Sequence, residues 1–225
     1  MIMVFPNEYA LIHFQKSKQA LIMSYSTSFL RPLFDYIAQF YPLSEAFKAE
    51  FEKSCKLIHV KKNKHILSPI DSNSSQYFLV NGLVRGFVRD GKKDISTWFS
   101  FGNELIGAIR HPDQQHSSSI EYLQALEECQ LICIPYTFID LMYTNYPEAN
   151  FIGRKLLALH YYAASERSIL ARIPKAMSRY RKLQESGLDI TRIPQRYLAS
   201  YLGMRLETLS RIRNKVLALD YRLCS

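Results

Sequence analysis

The sequence predicts an α+β chain in three parts: an antiparallel β domain with flanking helices, a long helix, and a C-terminal pair of short helices. Three observations carry this reading. Between about Leu57 and Pro135, short β-favouring runs alternate with tight-turn signals. After Tyr136 the apolar residues recur at helical rather than strand spacing. The net charge of +9 is unevenly placed: residues 166–225 hold 13 Lys/Arg against 5 Asp/Glu, whereas residues 1–165 hold 16 against 15. A nearly neutral body joined to a basic end points to a polyanion met by that end alone, although a solvated basic surface gives the same tally.

At 225 residues and 48% apolar content, the chain has material for one large domain or two modest ones. Residues 1–28 are expected to be an N-terminal extension. Their mildly apolar start contains Glu8, His13, Lys16 and Lys18 and no small-residue cleavage site, so no signal peptide is expected, and Met23 is an alternative start. No apolar run reaches the ~18–20 residues of a spanning helix, so no membrane partner is expected. The thiols Cys55, Cys129, Cys133 and Cys224 form no CxxC pair. They suit a reducing cytoplasm, and neither metal nor cofactor is expected.

The first domain is placed at residues 29–146. Phe29 to Lys53 reads as helix in two pieces around Pro42, with Ser44 capping the second and Phe47 and Phe51 on one side of it. The runs QYFLV, LVRGFVRD, STWFSF and QLICI then follow, divided at Asn81-Gly82, Asp90-Gly91 and Gly102-Asn103. Without helical crossovers between them, these strands predict an antiparallel sandwich or jelly roll.

A long helix is placed at residues 147–173. Ile152, Leu156, Leu159, Ala163 and Leu170 follow heptad-like spacing, broken at Glu166, and read as a seam that pairs with a second copy. Packing on the chain's own β domain is the alternative. Pro174 ends this helix, and Lys175 to Ser186 forms another that closes at Gly187.

Within residues 174–225, Pro194 suits a first helical turn, and Leu198, Ala199 and Leu202 form an apolar face. Gly203 supplies a turn, and a second helix runs from about Leu206 to Leu219 with Leu209, Ile212 and Val216 inward. Glu207, Arg211 and Asn214 fall within roughly 60° of one another on its opposite face. This is a helix-turn-helix layout, whose second helix enters the major groove of double-stranded DNA. Arginine can contact guanine O6/N7 in bidentate fashion, and glutamate can accept from cytosine N4. Gln195, Arg196, Arg205, Thr208, Ser210, Arg213 and Lys215 suit phosphates. An ordinary helical hairpin with a solvated basic face is the alternative.

In this order of parts, the chain resembles the Crp/Fnr family of bacterial transcription regulators from about Phe29 onward. LGMRLETLSRIRNK is similar to the family's G-x-S-x-E-T-[LV]-S-R-[IL] signature, with Glu207, Thr208, Ser210 and Arg211 matching. SRYRKL and RIPQRYLASYLG are similar to a Bacteroidetes-type branch. The resemblance implies a double-stranded β-helix (jelly roll), a dimerisation helix and a winged-helix-type reader domain. It also implies a homodimer on palindromic DNA, contact with RNA polymerase, and a small-molecule effector of unspecified kind.

Two places depart from the family pattern. Arg205 stands where a small hydroxyl residue caps the recognition helix, and Leu206 replaces an arginine or proline. In the family's phosphate-binding cassette, Gly107 is present, but Ala108 replaces the ribose-binding Glu. Ser118 or Ser119 replaces the phosphate-binding Arg, leaving Arg110 as a substitute cation. A phosphate buried without its cationic partner is costly, so no response to cyclic AMP is expected. The N-terminal cysteine cluster of the family's oxygen sensors and the ligand set of its haem sensors are not seen. The reading is a DNA-binding regulator, not an enzyme: no paired carboxylates, Ser/His/Asp set or phosphate-cradling loop stands out. The alternative is a ligand- or protein-binding sensor module whose helix-turn-helix no longer recognises DNA.

Overall fold

The computed structural model describes residues 28–109 and 119–223. The expected extension, apart from Ser28, therefore lies outside the described residues, as do Arg110, Ser118 and Cys224. After a 3-10 turn at Ser28–Leu30 come α1 (Arg31–Ile37) and α2 (Glu45–Ser54). Ser44 caps α2 by accepting from Phe47 N at 3.2 Å, as its position before the Phe47/Phe51 stripe predicts.

Eight strands follow: β1 (Lys56–Val60), β2 (His65–Leu67), β3 (Ser75–Asn81), β4 (Val84–Asp90), β5 (Lys93–Ser100), β6 (Glu104–Ile106), β7 (Tyr122–Ala125) and β8 (Cys129–Pro135). They make two four-stranded antiparallel sheets, ordered β1-β8-β3-β6 and β2-β7-β4-β5. The hairpin turns fall at the expected Gly82 (φ 107°) and Gly91 (φ 57°). Strand alternation divides the core. Phe78 and Ile132 are cross-strand partners that pack under the helices, whereas the next pair, Leu79 and Leu131, lies in a cluster with Val84 and Ala125 of the other sheet.

α3 (Tyr136–Asn145) leads into α4 (Pro147–Arg172), a helix of 26 residues. The heptad-like seam expected on α4 requires correction. Ile152 and Leu170 are only 5% and 7% exposed, each inside one of the chain's own core clusters. Leu156 and Ala163 are half-buried, and only Leu159 stands out, at 47% exposed. Apolar periodicity reports burial and not the identity of what buries it: Ile152 packs into the core of the β domain and its helices, and Leu170 into the cluster formed mainly by the C-terminal helices. Glu166, the break in the stripe, pairs with Lys182 of the following helix at 3.2 Å.

α4 ends before Pro174, with Ile173 extended at φ −62°, ψ 121°, as a residue preceding proline must be. The remainder is α5 (Ala176–Glu185), a 3-10 turn at Ile190–Arg192, α6 (Gln195–Tyr201) and α7 (Leu206–Leu223). No strand occurs among the described residues after Pro135, so the winged element has no counterpart there. Residues 217–223, LALDYRL, lack the glycine or proline that would stop α7 and start a hairpin. No helix among the described residues is long and apolar enough to cross a membrane.

Candidate functional site

The C-terminal helical unit is built on an apolar knot. Leu198 and Ala199 of α6, Leu202 after it, and Leu209 and Ile212 of α7 are buried together with Tyr180 and Leu183 of α5. Ala199 lets the two helices approach, since a larger side chain would occupy their crossing. Gly203 takes φ 59°, a left-handed conformation that a β-carbon disfavours. Arg179 of α5 gathers the carbonyls around this turn. Its Nε donates to Leu202 O (2.7 Å) and its Nη2 to Gly203 O (3.3 Å). Its Nη1 donates to Ile173 O (2.6 Å) and Pro174 O (3.2 Å) at the end of α4. This arginine lies in the SRYRKL segment, and its role was not apparent from the sequence.

With one face of α7 in that knot, the other is open. Glu207, Arg211 and Asn214 are exposed, as are Arg205, Ser210 and Lys215, while Thr208 is half-buried. Leu206, an apolar residue, is 43% exposed at the start of the helix. Gln195 and Arg196 are exposed at the start of α6. Arg196 is also engaged within the chain: its guanidinium lies 4.4 Å from the Tyr197 ring centroid and donates to Tyr197 Oη at 2.5 Å.

The second site is a cleft of about 530 Å³ between the β domain and α4, with Trp98, Gly107, Ala108, Glu121, Tyr136, His160 and Arg167 on its walls. Ala108 is buried beside Leu67 and Leu123 and offers no polar group. Ser119 is buried, and its hydroxyl accepts from Glu121 N at 3.1 Å. Two carboxylates line this cleft, Glu104 and Glu121. Sequence reasoning missed Glu121 because it sits after the loop and not beside Gly107. It is 1% exposed and accepts from Thr97 Oγ1 (2.7 Å), Trp98 Nε1 (2.8 Å) and Ile109 N (3.2 Å). Burial raises its carboxyl above the ordinary range, and these three donors, with the Arg167 charge, oppose the rise. No group of His, Cys, Asp and Glu among the described residues is arranged to hold a metal ion.

No sequence-family profile matches the chain, and no curated protein matches it. Solved structures do. FixK2 from Bradyrhizobium japonicum superimposes with a TM-score of 0.63 at 16% identity, over 74% of this chain and 86% of that one. A candidate transcriptional regulator of the Crp/Fnr family from Eubacterium rectale gives 0.63 at 16% identity, over 82% and 88%. A cyclic nucleotide-binding domain-containing protein from Listeria monocytogenes gives 0.60 at 16%, over 84% and 90%. At such identity the likeness is one of fold alone. The chain has the fold of the Crp/Fnr transcription regulators.

Proposed function

We propose that this chain is a sequence-specific DNA-binding transcription regulator of the Crp/Fnr type, acting in the cytoplasm as a homodimer on a palindromic site. The observation that carries the reading is the outward row Glu207, Arg211 and Asn214 on α7, held by the buried Leu198–Leu209 side and the Gly203 turn. Arg211 reads a guanine, Glu207 a cytosine, and Gln195, Arg196, Arg205, Thr208, Ser210 and Lys215 hold phosphates. The two sheets are read as a jelly roll.

For the dimer, the burial of Ile152 and Leu170 moves the seam around α4. Phe151, Ala158, Tyr162, Ser165 and Ile169 follow a heptad-like spacing, and Phe151, Tyr162 and Ile169 are exposed large apolar side chains. Tyr162→Glu is expected to convert the dimer to monomer, read by sedimentation equilibrium. The effector reading keeps cyclic AMP out. In the cleft Ala108 gives no ribose partner, and the Arg167 cation acts on the buried carboxyl group of Glu121.

In-vitro site selection with the purified protein tests the function. Palindromic enrichment, with half-sites about one helical turn apart, is the expected outcome. The exposed Leu206 favours a second reading, a sensor module without DNA recognition. Binding that is blind to sequence and vanishes at moderate salt would select it over the first.

A further inference from the structure

Helices α1 to α4 do not close completely over the sheet they cover. Against β1-β8-β3-β6 they leave an apolar cavity of about 80 Å³, walled by Phe47 and Phe51 of α2, Phe138 and Met142 of α3, and Ile152 and Leu156 of α4. Protein interiors hold few voids larger than one water molecule, and one water needs roughly 10–15 Å³ of such space. The cavity therefore takes about five to eight water-sized groups. Its walls decide which kind. Of its lining residues, Gln76 and Tyr143 alone carry polar side-chain atoms. Several waters would find too few of the roughly two to four partners each requires, whereas hydrocarbon needs none.

The cavity meets the surface at Tyr143. This ring also lines an open recess together with Asn150, Phe151 and Arg154, so it stands between an apolar interior and a polar exterior. Gly153 makes the arrangement possible: a β-carbon there would fall 2.4 Å from Tyr143 Oη and 2.6 Å from its Cε1. Asn150 Nδ2 donates to Tyr143 O at 2.9 Å and fixes α4 against the end of α3. The recess carries one cation. The Arg154 guanidinium carbon lies 4.9 Å from the Phe151 ring centroid, and Phe151 stacks on Tyr41 at 4.9 Å with the rings 4° from parallel. Arg154 is exposed, so its charge faces whatever enters the recess.

We propose that the cavity and recess form one binding site for a straight-chain monocarboxylic acid of about six to nine carbons. The hydrocarbon chain fills the apolar cavity, and the carboxylate rests in the recess against Arg154, whose planar fork suits it. This site is distinct from the cleft around Gly107 and Glu121, and its occupancy does not depend on the DNA-binding reading.

Calorimetric titration of the purified protein with the sodium salts from butanoate to dodecanoate tests the site. Affinity is expected to rise about fourfold per added methylene up to about nonanoate and then to level or fall as the cavity fills. Affinity that does not depend on chain length, or that climbs evenly through dodecanoate, would overturn the proposal, since neither reports a closed space. Octanol, with the same chain and no charge, should bind at least tenfold more weakly than octanoate. Arg154→Gln lies on the surface and should abolish that preference while leaving octanol binding at the parent level. Octanol equal to octanoate in the parent, or an undiminished preference in Arg154→Gln, removes the carboxylate from the proposal and overturns it. Ala149→Leu, which places three more carbons on the cavity wall, should eliminate octanoate binding in a protein of parent-like circular dichroism; retained binding there counts against the cavity. Where that substitution prevents folding, the chain-length series on the parent protein decides.

Discussion

Replacing Gly86 by alanine tests how the cleft carboxylate is held. Gly86 lies on β4 opposite Trp98 of β5, and a β-carbon there would fall 2.3 Å from the indole Cε2 and Nε1 atoms. The indole is rigid and must retreat by about 1 Å or more to recover ordinary contact distances. Its Nε1 then leaves Glu121, 2.8 Å away, and the buried carboxylate loses one of its donors. Overpacking costs about 1–3 kcal/mol and the lost charged hydrogen bond about 1.5–3 kcal/mol, offset by about 0.5–1 kcal/mol from alanine's better strand entropy. The net expectation is a loss of about 2–5 kcal/mol, or roughly 5–15 °C in the melting midpoint for a chain of this size. Trp98 is the only tryptophan, so its emission spectrum reports the displacement directly, and urea unfolding followed at the same wavelength gives the stability. A variant within about 0.5 kcal/mol of the parent, with an unshifted emission maximum, would refute the argument that Gly86 seats the indole against Glu121.

Three further outcomes are expected. Arg211→Ala should relax discrimination at one guanine by about 1–3 kcal/mol, whereas Lys215→Ala should weaken all duplexes alike and reduce the salt slope by about one, both measured by titration at several salt concentrations. Glu121 carries a raised folded pKa, so the folded state binds its proton more readily than the unfolded chain does. Its contribution to stability is present at low pH and is lost as pH rises from the ordinary 4.5 through that raised value; a pH-independent stability difference between the parent and Glu121→Gln would contradict this. The Cys55 thiol is buried and pushed up to about 12, so at neutral pH it should resist alkylation until the β domain unfolds, as peptide mapping of alkylated protein can show.

Much of the architecture is legible in the sequence because local chemistry dictates it. The Asn81-Gly82 and Asp90-Gly91 turns, the Ser44 cap, the stop before Pro174 and the Gly203 turn each follow from the backbone needs of one or two residues. The three-residue strands β2 and β6 are not individually legible, since they are too short to show a period and exist through their partners. What covers an apolar stripe is not legible either, which is why Ile152 and Leu170 read as a seam between copies but lie inside the chain. Glu121, Arg85 and Arg179 escape for a related reason. Each is a charged residue in an unremarkable run, and its role comes entirely from donors and rings distant in sequence. The exposed row Glu207, Arg211 and Asn214 was legible because helical spacing alone places it opposite Leu209 and Ile212.

The four carbonyls gathered by Arg179 have a mechanical consequence. They tie the end of α4, at Ile173 and Pro174, to the turn at Leu202 and Gly203, so α5, α6 and the start of α7 share one anchorage. A unit so fastened swings about a fixed point when its other contacts part; it does not drift on a string.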